Sequence, residues 1–229
     1  MKLVLFDIDG TLLWTDGAGR RSMEGALLQL FGASGDPSYR YDGKTDRQIT
    51  REQMRAVGFD DATIDARMDD VLAAYVLRLQ AHLESDASAA RLCAGVHPLL
   101  DAIEAHEGAE LGLLTGNIEQ GARCKLRAVG LEFGRFRVNA FGSDHEERPQ
   151  LPSFAQRRAR DVMGLDLQGD RIIIIGDTPA DIHCGRSLGV RAIGVATGRY
   201  GVDELASHDP HAVFATLEDT DAVLAAILA

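Results

Sequence analysis

Four consecutive isoleucines, Ile172–Ile175, are the feature that most restricts the fold of this chain. A half-exposed strand alternates apolar and polar residues, whereas an unbroken apolar run indicates a strand that is covered on both faces. Shorter apolar runs recur along the chain, with stretches of helical spacing between most of them. These runs are Leu3–Phe6, Leu111–Leu114, Val138–Phe141 and Ala192–Val195. Strands that alternate with helices predict an α/β fold with an open parallel sheet.

The segment after the first strand breaks this alternation. Apolar residues recur at helical spacing over residues 23–31 and again over residues 68–79, and no convincing strand separates them. A long helical insertion of this kind predicts a separate helical subdomain. The predicted boundaries are 1–13 and 91–229 for the core domain, 14–90 for the helical subdomain, and Glu84–Gly95 for the linker that returns to the core.

The composition restricts the class of protein and its partners. With 229 residues and 45% apolar content, the chain can bury the core of one sizeable domain and a smaller one. A formal net charge of -11 argues against a nucleic-acid partner, so any anionic ligand needs local positive charge. No apolar run has the length of roughly 18 residues that a membrane span needs, and no signal peptide is evident. We therefore expect a cytoplasmic protein without a membrane partner, as a monomer or homodimer.

Polar residues directly follow three of the predicted strands. They are Asp7 and Asp9 after the first strand, Thr115 and Asn117 after the second, and Asp177 and Asp181 after the isoleucine run. Because ligands of open parallel sheets bind outside the carboxyl ends of the strands, we expect these clusters to converge on one crevice. Oxygen ligands without a calcium-loop pattern favour Mg²⁺, which would also offset the repulsion between neighbouring carboxylates.

The same residues form four motifs in a fixed order. They are DIDGT at Asp7–Thr11, LLTGN with Thr115, a basic residue at Arg148 in ERPQLP, and GDTPAD with Asp177 and Asp181. These motifs resemble those of the haloacid dehalogenase superfamily, in particular its phosphoglycolate phosphatase-like branch with a helical cap. The resemblance spans residues 1 to about 197. It implies a Rossmann-like core and a Mg²⁺-dependent phosphatase that hydrolyses a small phosphorylated metabolite through an aspartyl-phosphate intermediate.

The resemblance also implies a role for each residue. Asp7 would be the nucleophile, Asp9 the general acid and base, Thr115 a ligand of a phosphoryl oxygen, and Arg148 the cation that offsets developing charge. Mg²⁺ would be held by Asp7, Asp177 and the backbone carbonyl of Asp9, with support from Asp181. The implied substrate-binding positions are Gly10, Thr11, Gly116 and Asn117 in the core, and Lys44 and Arg47 in the cap.

Alternatives remain open for one residue and for the reaction. Arg157 and Arg158 compete with Arg148 as the phosphate-stabilising cation. A phosphoglucomutase-type phosphoryl transfer is an alternative to hydrolysis. A carbon–halogen or phosphonate hydrolase of the same superfamily is disfavoured because those branches typically lack an acid at the position of Asp9. A non-catalytic binding protein is disfavoured because every motif position carries a workable residue.

Overall fold

The computed structural model describes residues 1–86 and 90–229, and strands and helices alternate along much of this range. The strands are β1 (Lys2–Phe6), β2 (Leu13–Trp14), β3 (Arg91–Leu92), β4 (Ala109–Thr115), β5 (Val138–Phe141), β6 (Ile172–Gly176), β7 (Arg191–Val195) and β8 (Ala212–Phe214). The helices are α1 (Ala18–Phe31), α2 (Asp46–Ala56), α3 (Asp61–Ser85), α4 (Val96–Glu104), α5 (Glu119–Ala128), α6 (Leu151–Met163), α7 (Pro179–Cys184), α8 (Val202–Ala206) and α9 (Thr220–Leu228).

A six-stranded parallel sheet forms the centre of the fold, in the order β5-β4-β1-β6-β7-β8. The predicted α/β fold with a parallel sheet is therefore confirmed, and each of the predicted strands lies within an observed one. The sequence analysis missed β8, because an edge strand of three half-buried residues has too little periodicity to detect.

The sheet is covered by helices on both faces. Successive residues of β1 point to opposite sides, so Val4 and Phe6 pack with α4, α5 and α9, whereas Leu3 and Leu5 pack with α6 and α7. The isoleucine run lies in β6 between β1 and β7, and its side chains are at most 1% exposed. This position explains why the run lacks a polar face.

The helices α1, α2 and α3 lie between β1 and β4 in the chain and share a separate cluster of buried apolar residues. Met23 and Leu27 of α1, Met54 of α2 and Tyr75 of α3 belong to this cluster, which also includes Ile118 at the start of α5. The helical character predicted for this segment is present. Its division from the rest of the chain as a cap domain over residues 14–90 stays a prediction.

The chain leaves and returns to the sheet through a short antiparallel pair, in which Leu13 and Trp14 of β2 face Leu92 and Arg91 of β3. The predicted linker Glu84–Gly95 therefore contains the end of α3 and a strand, while its residues 87–89 lie outside the described part of the chain. Among the described residues, no helix combines the length and the apolar character that crossing a membrane requires.

Candidate active site

The predicted clusters meet at the carboxyl edge of the sheet. Asp7 directly follows β1, Thr115 is the last residue of β4, and Asp177 directly follows β6. Because β4, β1 and β6 are neighbours and parallel, these residues come together although more than 100 positions separate some of them. Carboxylate oxygens of Asp7, Asp177 and Asp181 lie within 4.8 Å of one another, and all three residues are buried.

Arg148 is the basic residue that contacts these acids. Its guanidinium donates a hydrogen bond to Asp7 Oδ1 at 2.9 Å and another to Asp181 Oδ1, and its side chain is only 4% exposed. The arginine belongs to a short 3-10 turn, Arg148–Gln150, which leads into α6. This turn places Arg148 at the same edge of the sheet as the acids.

The two competing arginines lie elsewhere. Arg158 donates to the backbone oxygen of Asn139 and to Asp144, each at 2.6 Å. Arg157 is exposed and covers the ring of Phe154 at 4.5 Å. Of the three arginines considered from the sequence, Arg148 is the one that the structure places at the acids.

The carboxylates at this edge are poorly compensated without a cation. Burial raises the pKa of Asp7 to about 6, and the neighbouring Asp181 and Asp9 add to the shift while Arg148 opposes it. Burial and the charges of Asp181 and Asp7 raise the pKa of Asp177 well above its ordinary value. The hydrogen bond that the Thr11 hydroxyl donates at 3.1 Å lowers this pKa only in part. A buried, oxygen-only cluster with this excess of negative charge fits a hard divalent cation.

Asp181 has a structural role in addition to its contact with Arg148. It is the third residue of α7 and forms a capping box with Thr178: its Oδ2 accepts hydrogen bonds from the Thr178 backbone N–H at 3.0 Å and from the Thr178 hydroxyl at 2.7 Å. The helix start thereby fixes the Asp181 carboxylate, which is 1% exposed.

Gly10 and Thr11 shape the position of Asp177. A Cβ atom on Gly10 would lie 2.4 Å from Asp177 Oδ2, and the backbone of Gly10 has a φ of +85°, which side chains disfavour. The hydroxyl of Thr11 donates to Asp177 Oδ1. Both residues were predicted as substrate-binding, but neither is among the residues that line the cavity described below; Thr11 contacts Asp177, and the backbone oxygen of Gly10 accepts a hydrogen bond from the Thr197 hydroxyl.

Thr115 and Asn117 form a hydrogen-bonded pair beside Asp9. The Asn117 amide donates to the Thr115 hydroxyl and to Asp9 Oδ2, each at 2.8 Å. In the described part of the chain the Thr115 hydroxyl makes its hydrogen bonds as an acceptor, so its proton is free to be donated to a ligand.

Comparisons with known proteins show what the chain is similar to. Residues 150–220 match the family model described as HAD-hydrolase-like. Over 219 residues the chain is 29% identical to the phosphoglycolate phosphatase of Rhodospirillum rubrum, covering 93% of this chain and 86% of that protein. The chain is therefore similar to haloacid dehalogenase-like hydrolases over residues 150–220 and to a phosphoglycolate phosphatase over most of its length.

Solved structures of other proteins share the fold of this chain. A hydrolase from Pseudomonas syringae has a TM-score of 0.72 at 20% identity, with 98% of each chain covered. CbbY from Rhodobacter sphaeroides, solved in complex with phosphate, has a TM-score of 0.66 at 20% identity, with 96% of each chain covered.

The sequence analysis missed Lys125, a charged residue that lies against Asp9 in this site. Lys125 of α5 donates from Nζ to Asp9 Oδ2 at 2.6 Å, to Asp9 Oδ1 at 2.8 Å and to Asn117 Oδ1 at 2.6 Å. Its side chain is 4% exposed. The sequence feature that could have revealed Lys125 is its position on the apolar face of an amphipathic helix. Ala122 and Leu126 are buried on the same side.

A cavity of about 490 Å³ opens above the acids of this site. Its walls include Asp7, Asp9, Thr115, Gly116, Asn117, Lys125, Arg148 and Asp177 from the core, and Arg20, Tyr39, Tyr41, Lys44, Asp46 and Tyr75 from the segment between β1 and β4. The negatively charged floor therefore faces a wall that carries both aromatic rings and cations.

Lys44 and Arg47, which were predicted to bind substrate from the segment between β1 and β4, have different positions. Lys44 lines the cavity, where its ammonium donates to the Tyr39 hydroxyl at 2.7 Å and to Glu52 at 2.5 Å. Arg47 is not among the cavity-lining residues of the described chain, and its guanidinium instead donates to Asp69 Oδ1 at 3.0 Å. The geometry thus brings Lys44 to the site and leaves Arg47 outside it.

Proposed function

We propose that this protein hydrolyses a small phosphomonoester, of the phosphoglycolate type, through a phosphoaspartate formed on Asp7. The observation that carries the proposal is the contact between the buried Asp7 carboxylate and the Arg148 guanidinium at 2.9 Å, on the floor of a cavity that Asp177 also lines. A nucleophile, a phosphate-binding cation and a second acid then lie within reach of one phosphoryl group. The 29% identity to a phosphoglycolate phosphatase supports the same conclusion.

In this mechanism an Asp7 oxygen attacks phosphorus, and the bond between phosphorus and the leaving oxygen breaks. Asp9 donates a proton to that oxygen, so the product leaves as an alcohol. A water molecule then gives its proton to Asp9 and attacks phosphorus, which releases inorganic phosphate and restores the Asp7 carboxylate. Arg148 and the Thr115 hydroxyl orient the phosphoryl oxygens and offset their charge, which is the main contribution of a protein to phosphoryl transfer.

The carboxylates of Asp7 and Asp177 and the backbone carbonyl of Asp9 would hold Mg²⁺, and Asp181 would support the site through Arg148 and Thr178. When bound, the cation supplies the positive charge that keeps Asp7 ionised and neutralises phosphoryl oxygens. The poor compensation of Asp7 and Asp177 in the protein alone supports this assignment.

Asp7→Asn tests the function because it removes the nucleophile without changing the side-chain volume. Release of inorganic phosphate from phosphoglycolate and p-nitrophenyl phosphate is measured with Mg²⁺ and after EDTA treatment. We expect hydrolysis by the wild-type protein with Mg²⁺, none in EDTA, and a loss of at least roughly 10³-fold in the variant. Hydrolysis at the wild-type rate by Asp7→Asn contradicts the covalent mechanism.

Phosphoryl transfer between sugar phosphates without release of inorganic phosphate would instead favour the mutase alternative.

The cytoplasmic location, the monomeric or homodimeric state and the absence of a nucleic-acid partner stay predictions from the sequence.

A further inference from the structure

The buried ammonium of Lys125 has no part in the mechanism above, although it lies against one of its main residues. Its Nζ contacts Asp9 Oδ1 and Oδ2 and Asn117 Oδ1, all within 2.8 Å. An ammonium has three hydrogens, so these three acceptors use its donor capacity. Lys125 therefore has no donor left for a phosphoryl oxygen, and any effect on the reaction acts through its partners.

These contacts limit the orientations open to the Asp9 carboxylate. Lys125 engages both of its oxygens, and the Asn117 amide donates to Oδ2 at 2.8 Å as a second support. Asn117 is fixed in turn, because its oxygen accepts from Lys125 and its nitrogen also donates to the Thr115 hydroxyl. Asp9 itself is 40% exposed toward the cavity, so without these partners its side chain could rotate into several positions.

The ammonium is covered on the side of α1. A Cβ atom on Gly19 would lie 3.4 Å from Lys125 Nζ and 3.9 Å from the Tyr75 hydroxyl, which are van der Waals distances, so α1 packs directly over the ammonium. A lysine that is 4% exposed needs a compensating charge, and Asp9 is its ion-pair partner.

We propose that Lys125 is a positioning residue, which holds the Asp9 carboxylate in the orientation required for proton transfer to the leaving oxygen. The proposal rests on the proposed function. Displacement of a catalytic group by about 1 Å can cost roughly 10²-fold in rate, so loss of the lysine has a measurable effect even though it does not touch the substrate.

The test uses Lys125→Met, which removes the ammonium but keeps a long apolar side chain. Values of kcat/KM are compared for p-nitrophenyl phosphate, whose leaving group needs little protonation, and phenyl phosphate, whose leaving group depends on it. We expect Lys125→Met to lower kcat/KM roughly 10²-fold for phenyl phosphate and much less for p-nitrophenyl phosphate. Asp9→Asn should show the same selectivity, and Lys125→Met should add little to it in the double variant.

The control is Arg123→Met on the same helix, a residue that is half exposed and paired with Glu119, and it should not change the ratio between the two substrates. Equal losses on both substrates for Lys125→Met, or losses that add fully to those of Asp9→Asn, would assign Lys125 a purely structural role and overturn the proposal. A wild-type protein without phosphatase activity, or an active Asp7→Asn, would overturn the proposed function first. Failure of the Lys125 proposal can therefore be distinguished from failure of the proposed function.

Discussion

The Asp46 carboxylate at the start of α2 accepts a hydrogen bond at 2.8 Å from the backbone N–H of Ile118, which precedes α5. In the same place the backbone N–H of Asp46 donates to the oxygen of Gly116 at 2.9 Å. The segment between β1 and β4 is thus joined by two hydrogen bonds to the loop that follows Thr115. Because Gly116 and Asn117 line the cavity, this contact links the position of α2 to the shape of the site.

Asp46 should make the stability of the protein depend on pH. Burial raises the pKa of Asp46 from 3.8 to about 6, although Lys125 and the Ile118 N–H oppose the shift. Between about pH 4 and pH 6 the unfolded chain therefore loses this proton before the folded protein does. The free energy of unfolding should fall as pH rises through this range, by an amount on the order of 2–3 kcal/mol from this residue.

Asp46→Asn removes this titration and keeps an oxygen that can accept from Ile118. Urea unfolding of both proteins at several pH values gives the difference in the free energy of unfolding. We expect the variant to gain stability relative to the wild-type protein as pH rises from 4 to 7. Parallel curves for the two proteins would contradict the raised pKa.

Binding of Mg²⁺ should release protons. Burial raises the pKa of Asp7 to about 6 and raises that of Asp177 well above its ordinary value, so these carboxyls of the metal-free protein hold protons at a higher pH than exposed aspartates do. A cation displaces them, and its dissociation constant should fall as pH rises from 5 to 8. Titration calorimetry at pH 6 in two buffers of different ionisation enthalpy measures this release. Identical binding enthalpies in both buffers would exclude it.

Much of the fold and of the acidic site could be predicted from the sequence because their signals are local. Ile172–Ile175 reveals a strand that is buried on both faces, and the placement of Asp7 and Asp177 directly after strands brings them to one edge of a parallel sheet. Neither inference requires knowledge of which distant side chains contact each other. The parallel arrangement of the strands is sufficient.

The contacts made by Lys125 and Asp46 could not be predicted in this way. Lys125 and Asp9 are separated by 116 residues, and Asp46 and Ile118 by 72. A lysine on the buried face of α5 indicates that some partner exists, but its identity depends on how helices pack over the sheet. For the same reason the sequence did not separate Lys44, which lines the cavity, from Arg47, which pairs with Asp69.

Arg148→Ala should lower kcat by roughly 10² to 10³-fold, the scale for losing one preorganised electrostatic contact in a transition state. The buried Asp7 and Asp181 also lose their cationic partner, so the melting temperature is measured alongside the kinetics, and Arg148→Lys retains a charge if the alanine variant does not fold. Arg157→Ala is the control, because Arg157 is exposed over Phe154 and should leave kcat unchanged. A large loss at Arg157 with none at Arg148 would show that the wrong arginine was assigned.

Gly116→Ala should disrupt the contact between the loop at Lys44 and the core. A Cβ atom on Gly116 would lie 2.0 Å from the backbone oxygen of Lys44 and 3.0 Å from Thr45 Cα, so the backbone itself must move. We expect a loss of about 1–3 kcal/mol in the free energy of unfolding and faster proteolysis near Lys44. Gly134→Ala is the matched control, because no heavy atom lies within 4 Å of its added Cβ. Equal stability of the two variants in urea unfolding would mean that the loop at Lys44 does not pack tightly against Gly116.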